Sequence, residues 1–404
     1  MDIGSGRKLR ILVADDSAVM RGIMRTLFIT HTENVWSELP AMELCGVARD
    51  GVECLGAVKE LLPDVLVLDL EMPRMHGLDV LDKLRQERPD LPVIMCSTYT
   101  ERGARLTLDA LARGASDYVM KPSETSDFVT ALRTLSDQLL RKIAALGDRS
   151  CGKQAVGDAT QRRYVDEVTL RGRRPARIEA IVIGVSTGGP AALEVMLPRL
   201  PADLPVPVLI VQHMPKLFTG ELAERLDRCC ALRVKEAYEG AILAPGTAWI
   251  APGDMHMEVG RSSGAGGGSR VCLHQAAPLN FCRPSVDYLF HSAVKVYGAG
   301  TLAVVMTGMG ADGLAGARAV HEAGGTVLAQ DEASSVVWGM PGRVAQSGIA
   351  SATLPLWELA DELTERSREG RAGCSERNID RNDGQRSQMP ADGLQRQGMT
   401  HGLL

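Results

Sequence analysis

The sequence predicts an α/β protein built from two doubly wound domains, each a parallel sheet flanked by helices. Three observations carry this reading. Short apolar runs recur along the chain, as in RILVAD (10–15), DVLVLD (64–69) and LPVIMCS (91–97), and continuous runs of this kind mark strands buried on both faces. Helical periodicities alternate with them. The alternation stops at a polar, arginine-rich stretch over 147–177 and then starts again, in a chain whose 404 residues exceed one ordinary domain.

In the first half, GLDVLDKLRQE (77–87) and ARLTLDALARG (104–114) read as helices, the second ending at a C-cap glycine. A last amphipathic helix near 124–146 sets Phe128, Leu132, Leu135, Leu139 and Ile143 at helical spacing. Residues 1–146 then form the first domain, and 147–177, low in aliphatics, a flexible linker. The second alternation runs through IEAIVIG (178–184), VPVLIVQHM (206–214), TAWIAPG (247–253), TLAVVMTGMG (301–310) and GTVLAQD (325–331). It predicts a Rossmann-like, mostly parallel domain over 178–365, in which GRSSGAGGGSR (260–270) is a hairpin tip. The polar, Arg- and Gln-rich segment 366–404 reads as a disordered tail.

The formal charge of −5 supplies no basic footprint, so neither nucleic acid nor an anionic membrane is expected as a partner. No stretch approaches the ~20 apolar residues of a membrane span, and MDIGSGRKLR lacks the apolar core of a signal peptide, which points to a cytoplasmic protein. The nine cysteines contain no CxxC pair and read as reduced thiols, not as a disulfide frame or zinc site.

Ligands of open α/β sheets meet the carboxyl ends of the strands. In the first domain those ends carry Asp15, Asp16, Asp69, Ser97 and Lys121. Each aspartate alone would pass for a helix cap. Three carboxylates in one crevice call for a cation, and hard oxygen donors suit Mg²⁺. A lysine and a hydroxyl beside it would take the oxygens of a phosphoryl group carried by one aspartate.

At ILVADDSAVMR, VLVLDLEMPRMHGLDVL and DYVMKPS, over about residues 8–146, the chain resembles the receiver domains of bacterial two-component systems. The resemblance implies a flavodoxin-like, five-stranded parallel sheet with Asp69 as phosphoacceptor. It further implies Mg²⁺ held by Asp16, Asp69 and the backbone carbonyl of Glu71, with Asp15 acting through water. Ser97 and Lys121 would hold the phosphoryl oxygens, Tyr118 would be the switch aromatic, and a chemotaxis histidine kinase would be the phosphodonor. His76 stands where the family has Asp or Asn, and residues 28–42 form a longer segment than usual.

In the second domain, Gly184-Val185-Ser186-Thr187-Gly188 fits the G-x-S-x-G elbow that exposes a nucleophilic serine, but a glycine-rich turn also serves as a phosphate cradle. A nucleophile needs a base and an orienting carboxylate. Among eight histidines, His213 lies just beyond the next apolar strand, and Asp312 lies in MTGMGADGLAG after a later one. A rival reading takes Gly308-Met309-Gly310-Ala311-Asp312-Gly313 as a dinucleotide fingerprint, with Asp331, 18 positions beyond Gly313, as its ribose acid. Asp312 counts against this, since it would set a carboxylate where the pyrophosphate must sit.

The motifs IGVSTGGP (183–190), VQHMP (211–215), IAPG (250–253) followed by Asp254 and His256, and VVMTGMGADG (304–313) resemble the catalytic domain of chemotaxis protein-glutamate methylesterases. That resemblance implies hydrolysis of γ-glutamyl methyl esters on methyl-accepting chemotaxis receptors and deamidation of receptor glutamines. It implies Ser186 as nucleophile, His213 as base and Asp312 as orienting acid, with backbone N–H groups of Met309 and Thr187 as oxyanion hole and no cofactor in this domain. His256 is read as structural or substrate-contacting, Ser285 as a helix cap, and Arg283 as a contact for an acidic receptor surface. An unphosphorylated receiver would cover the cleft, a fragment from about residue 175 would be constitutively active, and a monomer would suffice. A receiver-controlled scaffold without catalysis is the remaining alternative.

Overall fold

The computed structural model describes residues 7–31, 39–122, 128–151, 176–262 and 268–369. In the first domain, β1 (Leu9–Ala14), β2 (Met42–Ala48), β3 (Val65–Asp69), β4 (Val93–Ser97) and β5 (Asp117–Met120) form a parallel sheet in the order β2-β1-β3-β4-β5. Every residue of β3 and β4 is buried, as their unbroken apolar runs require. The edge strand β2 is largely half-buried, which is why its sequence, MELCGVA, carries no such run.

Helices α1 (Ala18–His31), α2 (Gly51–Leu61), α3 (Gly77–Glu87), α4 (Glu101–Ala112) and α5 (Phe128–Cys151) flank this sheet. Asp50 starts α2 by accepting the N–H groups of Val52 and Glu53. The last helix, α5, continues past residue 146 into the stretch read as linker. Leu146 is buried there, and Gly147 lets the helix close on Leu9, where an added Cβ would sit 2.6 Å from Cδ1. Of the longer segment 28–42, residues 28–31 belong to α1 and 32–38 lie outside the described residues, and His76 is exposed just before α3.

The second domain contains β6 (Ala180–Val185), β7 (Val208–Gln212), β8 (Arg233–Glu236), β9 (Thr247–Ile250), β12 (Thr301–Val305), β13 (Thr326–Gln330) and β14 (Ala352–Leu354). They pair in parallel in the order β14-β13-β12-β6-β7-β9-β8. Between β9 and β12, β10 (His256–Arg261) and β11 (Ser269–His274) form an antiparallel hairpin; of the stretch 260–270 read as its tip, Gly260, Arg261, Ser269 and Arg270 belong to the strands, and 263–267 lie outside the described residues. Helices α6 (Gly189–Met196), α7 (Lys216–Cys229), α8 (Val286–Tyr297), α9 (Leu314–Glu322), α10 (Met340–Gln346) and α11 (Leu356–Arg368) complete the domain. Ser367 is buried in α11, so the helix extends beyond 365; the tail from 370 lies outside the described residues.

From β6 the chain moves outward to β7 on one side and later returns to β12 on the other, so strand order reverses at β6. Open sheets bind their ligands at the carboxyl end of such a reversal. The two domains pack through α4 against α6 and α7. Arg105 pairs with Glu221 at 2.9 Å, Arg225 with Asp109 at 2.5 Å, and Tyr118 stacks on Phe218 with centroids 5.0 Å apart and planes 7° from parallel. No described helix is long and apolar enough to cross a membrane, and among the described residues the cysteines are free thiols.

Candidate active site and phosphoacceptor pocket

Ser186 is the first residue beyond β6, at the reversal point. Its N–H donates to the Thr307 carbonyl at 3.0 Å, and its carbonyl accepts from Gly189 N–H at 2.8 Å and Gln212 Nε2 at 3.0 Å. Gly188 turns the chain into α6 at φ 76°, a region that favours glycine. The loop after β12 comes so close that a Cβ on Gly308 would lie 2.7 Å from that of Ser186. These contacts fix the serine backbone on three sides and leave its side chain half-buried at the carboxyl end of the sheet.

His213 follows β7, and its Nε2 meets Asp312 Oδ2 at 2.8 Å. Asp312 is buried and saturated: Oδ1 accepts from Ser285 Oγ at 2.7 Å and Asn280 Nδ2 at 3.0 Å, while Oδ2 also accepts from Val286 N–H at 2.6 Å. Burial alone would raise its pKa, but His213, Ser285 and the Val286 amide outweigh it and hold the carboxyl well below the usual range. For His213, burial opposes the charged ring, yet Cys282 and Asp312 outweigh it and raise the pKa above that of ordinary imidazole. With Nε2 on the carboxylate, Nδ1 is the nitrogen left to act. It lies 3.5 Å from Cys282 Sγ, and among the described residues no hydrogen bond joins it to the Ser186 hydroxyl.

The dinucleotide reading fails here, because Asp312 is committed to His213 and Asp331 accepts the Ser334 N–H and hydroxyl. Ser285 stands at the start of α8 but makes no side-chain cap; its hydroxyl serves Asp312 instead. His256 is fully buried, accepts the Ser285 N–H on Nδ1 at 3.2 Å and faces the Ala277 carbonyl with Nε2, so it braces the segment that holds Asp312. Arg283 is bound to Asp254 and the Ala276 carbonyl rather than left free for an acidic surface. Asn280 and Cys282 join the site by tertiary approach, whereas Gln212 lies in the VQHMP motif beside His213 and its role in holding the Ser186 carbonyl shows only in the fold.

In the first domain, Asp15 and Asp69 are buried, and Lys121 Nζ lies 2.9 Å from an oxygen of each. Ligand oxygens of Asp15, Asp16 and Asp69 lie within 4.8 Å of one another, a hard-donor set that fits Mg²⁺. Burial raises the Asp69 pKa to about 6, with Lys121 opposing it. For Lys121, burial works against the charge, but Asp69 and Asp15 outweigh it and raise its pKa. Glu71 is exposed, its carboxylate on Arg102 at 3.1 Å. The Ser97 hydroxyl faces α4 rather than this pocket, donating to the Gly103 carbonyl and accepting from Thr107 at 2.7 Å.

The two sites meet through β5. Asp117 Oδ2 accepts from the Thr187 hydroxyl at 2.7 Å, and Lys142 Nζ pairs with the same oxygen at 2.8 Å. Tyr118, the next residue, stacks on Phe218 of α7. Met309, Val336 and Val337 join the apolar cluster that includes Leu135, Leu139 and Ile143 of α5. The first domain thus grips the residue after Ser186 and lies against the loop bearing Met309.

Comparison with known proteins fits both halves. Residues 181–363 match the CheB methylesterase family, and residues 11–133 match the response regulator receiver domain. A protein-glutamate methylesterase/protein-glutamine glutaminase of Trichodesmium erythraeum is 43% identical over 359 residues, spanning 89% of this chain and 99% of that protein. Its counterpart from a Nocardioides species is 45% identical over 365 residues, with 89% and 95% covered. Among solved structures, the Thermotoga maritima CheB methylesterase catalytic domain is 42% identical, covering 47% of this chain and 99% of that one at a TM-score of 0.45. The response regulator domain of Thermotoga maritima CheB is 35% identical, covering 35% and 98% at a TM-score of 0.30. With a receiver sheet, a second parallel sheet whose strand order reverses at β6 and relatives matched over nearly their whole length, the chain belongs to the protein-glutamate methylesterase/protein-glutamine glutaminase family of chemotaxis enzymes.

Proposed function

We propose that the chain demethylates γ-glutamyl methyl esters and deamidates glutamines of methyl-accepting chemotaxis receptors through Ser186, His213 and Asp312, under control of phosphorylation at Asp69. The observation that carries this reading is the pair of half-buried His213 and buried Asp312, 2.8 Å apart, beside the Ser186 turn at the reversal of the sheet. Asp312 fixes the ring with its N–H on Nε2 and stabilises the imidazolium that forms. Nδ1 then takes the Ser186 proton as the oxygen attacks the ester or amide carbonyl. Closing that step requires the ring to exchange the Cys282 thiol for the serine hydroxyl, a rearrangement common when substrate enters.

The tetrahedral oxygen gains its charge near the N–H groups of Thr187 and Met309, and among the described residues neither is engaged by a protein acceptor. A donor so placed is worth about 3 kcal/mol. His213 returns the proton to the departing methanol or ammonia, leaving an acyl-serine. Water, deprotonated by the same nitrogen, then releases glutamate and free Ser186.

In the receiver, Asp69 would accept the phosphoryl group from a histidine kinase. Asp16, Asp69 and the Glu71 carbonyl would hold Mg²⁺, with Asp15 through water, and Lys121 would meet the phosphoryl oxygens. The bound ion neutralises charge on the transferring group. Ser97 would have to turn from the Gly103 carbonyl to join it, and that motion of β4 and α4 bears directly on the α4 contacts with α6 and α7. Unphosphorylated, the receiver holds Thr187 and leans on the Met309 loop, which supports a restrained resting enzyme.

The test is methanol release from a methylated receptor by the full chain, with and without acetyl phosphate and Mg²⁺. Stimulation by the phosphodonor, loss of release in Ser186→Ala and loss of stimulation in Asp69→Asn are expected. A phosphorylated chain that releases no methanol would refute the reading and favour the scaffold.

A further inference from the structure

Between β11 and α8 the chain makes a four-residue turn, Leu279-Asn280-Phe281-Cys282. Backbone bonds close it in both directions, Leu279 N–H to the Cys282 carbonyl at 3.1 Å and Cys282 N–H to the Leu279 carbonyl at 2.9 Å. Both central residues have positive φ, 52° at Asn280 and 62° at Phe281, as a type I′ turn demands. Asparagine tolerates that region; a bulky aromatic rarely adopts it. Nor does packing account for Phe281, whose relative exposure is 104%, with Leu279 beside it at 39%.

The turn is held by its other central residue. Asn280 Nδ2 donates to Asp312 Oδ1 and to Asp287 Oδ2, each at 3.0 Å, so the catalytic carboxylate and α8 fix the strained backbone. On the far side of Phe281, Cys282 Sγ lies 3.5 Å from His213 Nδ1. The aromatic ring therefore stands free at the rim of the cleft, between two residues that both touch the Ser186–His213–Asp312 site. The nearby charges cancel each other, because Arg283 is paired with Asp254. Strain and exposure maintained together at a reacting centre point to a ligand that supplies the missing contact.

We propose that Phe281 is the substrate-docking residue of this enzyme, seating against an apolar side chain that neighbours the reacting glutamyl or glutaminyl residue on the protein substrate. The inference rests on the proposed esterase reading. A methyl ester offers little surface of its own, so selection of one glutamyl side chain on a folded protein must draw on contacts outside the reacting group, and an aromatic anchor is the strongest common kind. Such a contact forms equally in the bound substrate and in the transition state, and acts on KM rather than kcat.

The experiment compares Phe281→Asn with the wild-type full chain, both activated with acetyl phosphate and Mg²⁺, on a methylated receptor and on p-nitrophenyl acetate. Asparagine suits the turn, so the variant keeps its fold while losing the ring. KM for the receptor should rise about tenfold, the scale of losing a good anchor, with kcat within about twofold. Hydrolysis of the small ester should be unchanged, and Phe281→Tyr should restore the receptor KM. A wild-type receptor KM in Phe281→Asn, or an equal loss on both substrates, would overturn the docking role. Wild-type enzyme that cleaves the small ester but releases no methanol from the receptor would overturn the esterase reading on that substrate, and the docking role with it.

Discussion

Replacing Thr187 by valine tests whether the receiver restrains the enzyme by holding the residue after Ser186, the proposed nucleophile. The two side chains are nearly isosteric, so the change removes the 2.7 Å hydrogen bond to Asp117 and little else. A hydrogen bond to a charged acceptor contributes about 1.5–3 kcal/mol. Lys142 stays 2.8 Å from the same oxygen and keeps the buried carboxylate paired, which places the loss at the lower end, about 1.5 kcal/mol. At 1.4 kcal/mol per factor of ten, the ratio of covered to open enzyme falls about tenfold. The assay is the initial rate of methanol release by the unphosphorylated full chain. It should rise by up to about tenfold in Thr187→Val, while the fully phosphorylated variant matches phosphorylated wild type. A change of equal size in both states would place the hydroxyl in the chemistry rather than in the restraint, and no change in either would deny that the bond restrains anything.

Two further predictions concern pH. Burial raises Asp69 to about 6, so its carboxylate form, the proposed phosphoacceptor, is lost as pH falls through that value and labelling by acetyl phosphate should decline with it. Mg²⁺, which favours the charged form, should move the decline lower; labelling that stays flat well below pH 6 at low Mg²⁺ would contradict the burial argument. At the other site, Cys282 and Asp312 raise His213, so the acidic limb of kcat/KM should lie above the ordinary imidazole value of about 6.5. Cys282→Ser should bring that limb down, and an unmoved limb would show that the sulfur does not act on the ring.

The apolar runs made the central strands legible, since a strand covered on both faces has no choice but to be apolar. β8 and β14 escaped notice for the opposite reason: RVKE and ATL are edge strands, too short or too exposed to need such a run. The candidate site was legible in Ser186, His213 and Asp312 because each immediately follows, or lies in the loop after, an apolar strand that converges on the reversal at β6. Its supporting residues were not. Ser285 sits where a helix cap belongs, and only the fold reveals that its hydroxyl serves Asp312 rather than its own helix. Asp117 reads as the start of a strand, and its bond to Thr187 spans 70 positions of sequence.

That bond has a thermodynamic counterpart. If phosphorylating the Asp69 carboxylate opens the site around Ser186, then whatever occupies that site must favour the phosphorylated receiver by the same factor, because coupling between two bound states is reciprocal. A receptor in place of the receiver over Ser186 would compete with Asp117 for the turn at Thr187 and bias β5 toward its released position. At equilibrium with a phosphodonor, enzyme engaged with its substrate would therefore be phosphorylated to a greater extent than enzyme free in solution. Adaptation would then carry a record of occupancy, written in the level of an acyl phosphate rather than in the number of methyl groups removed.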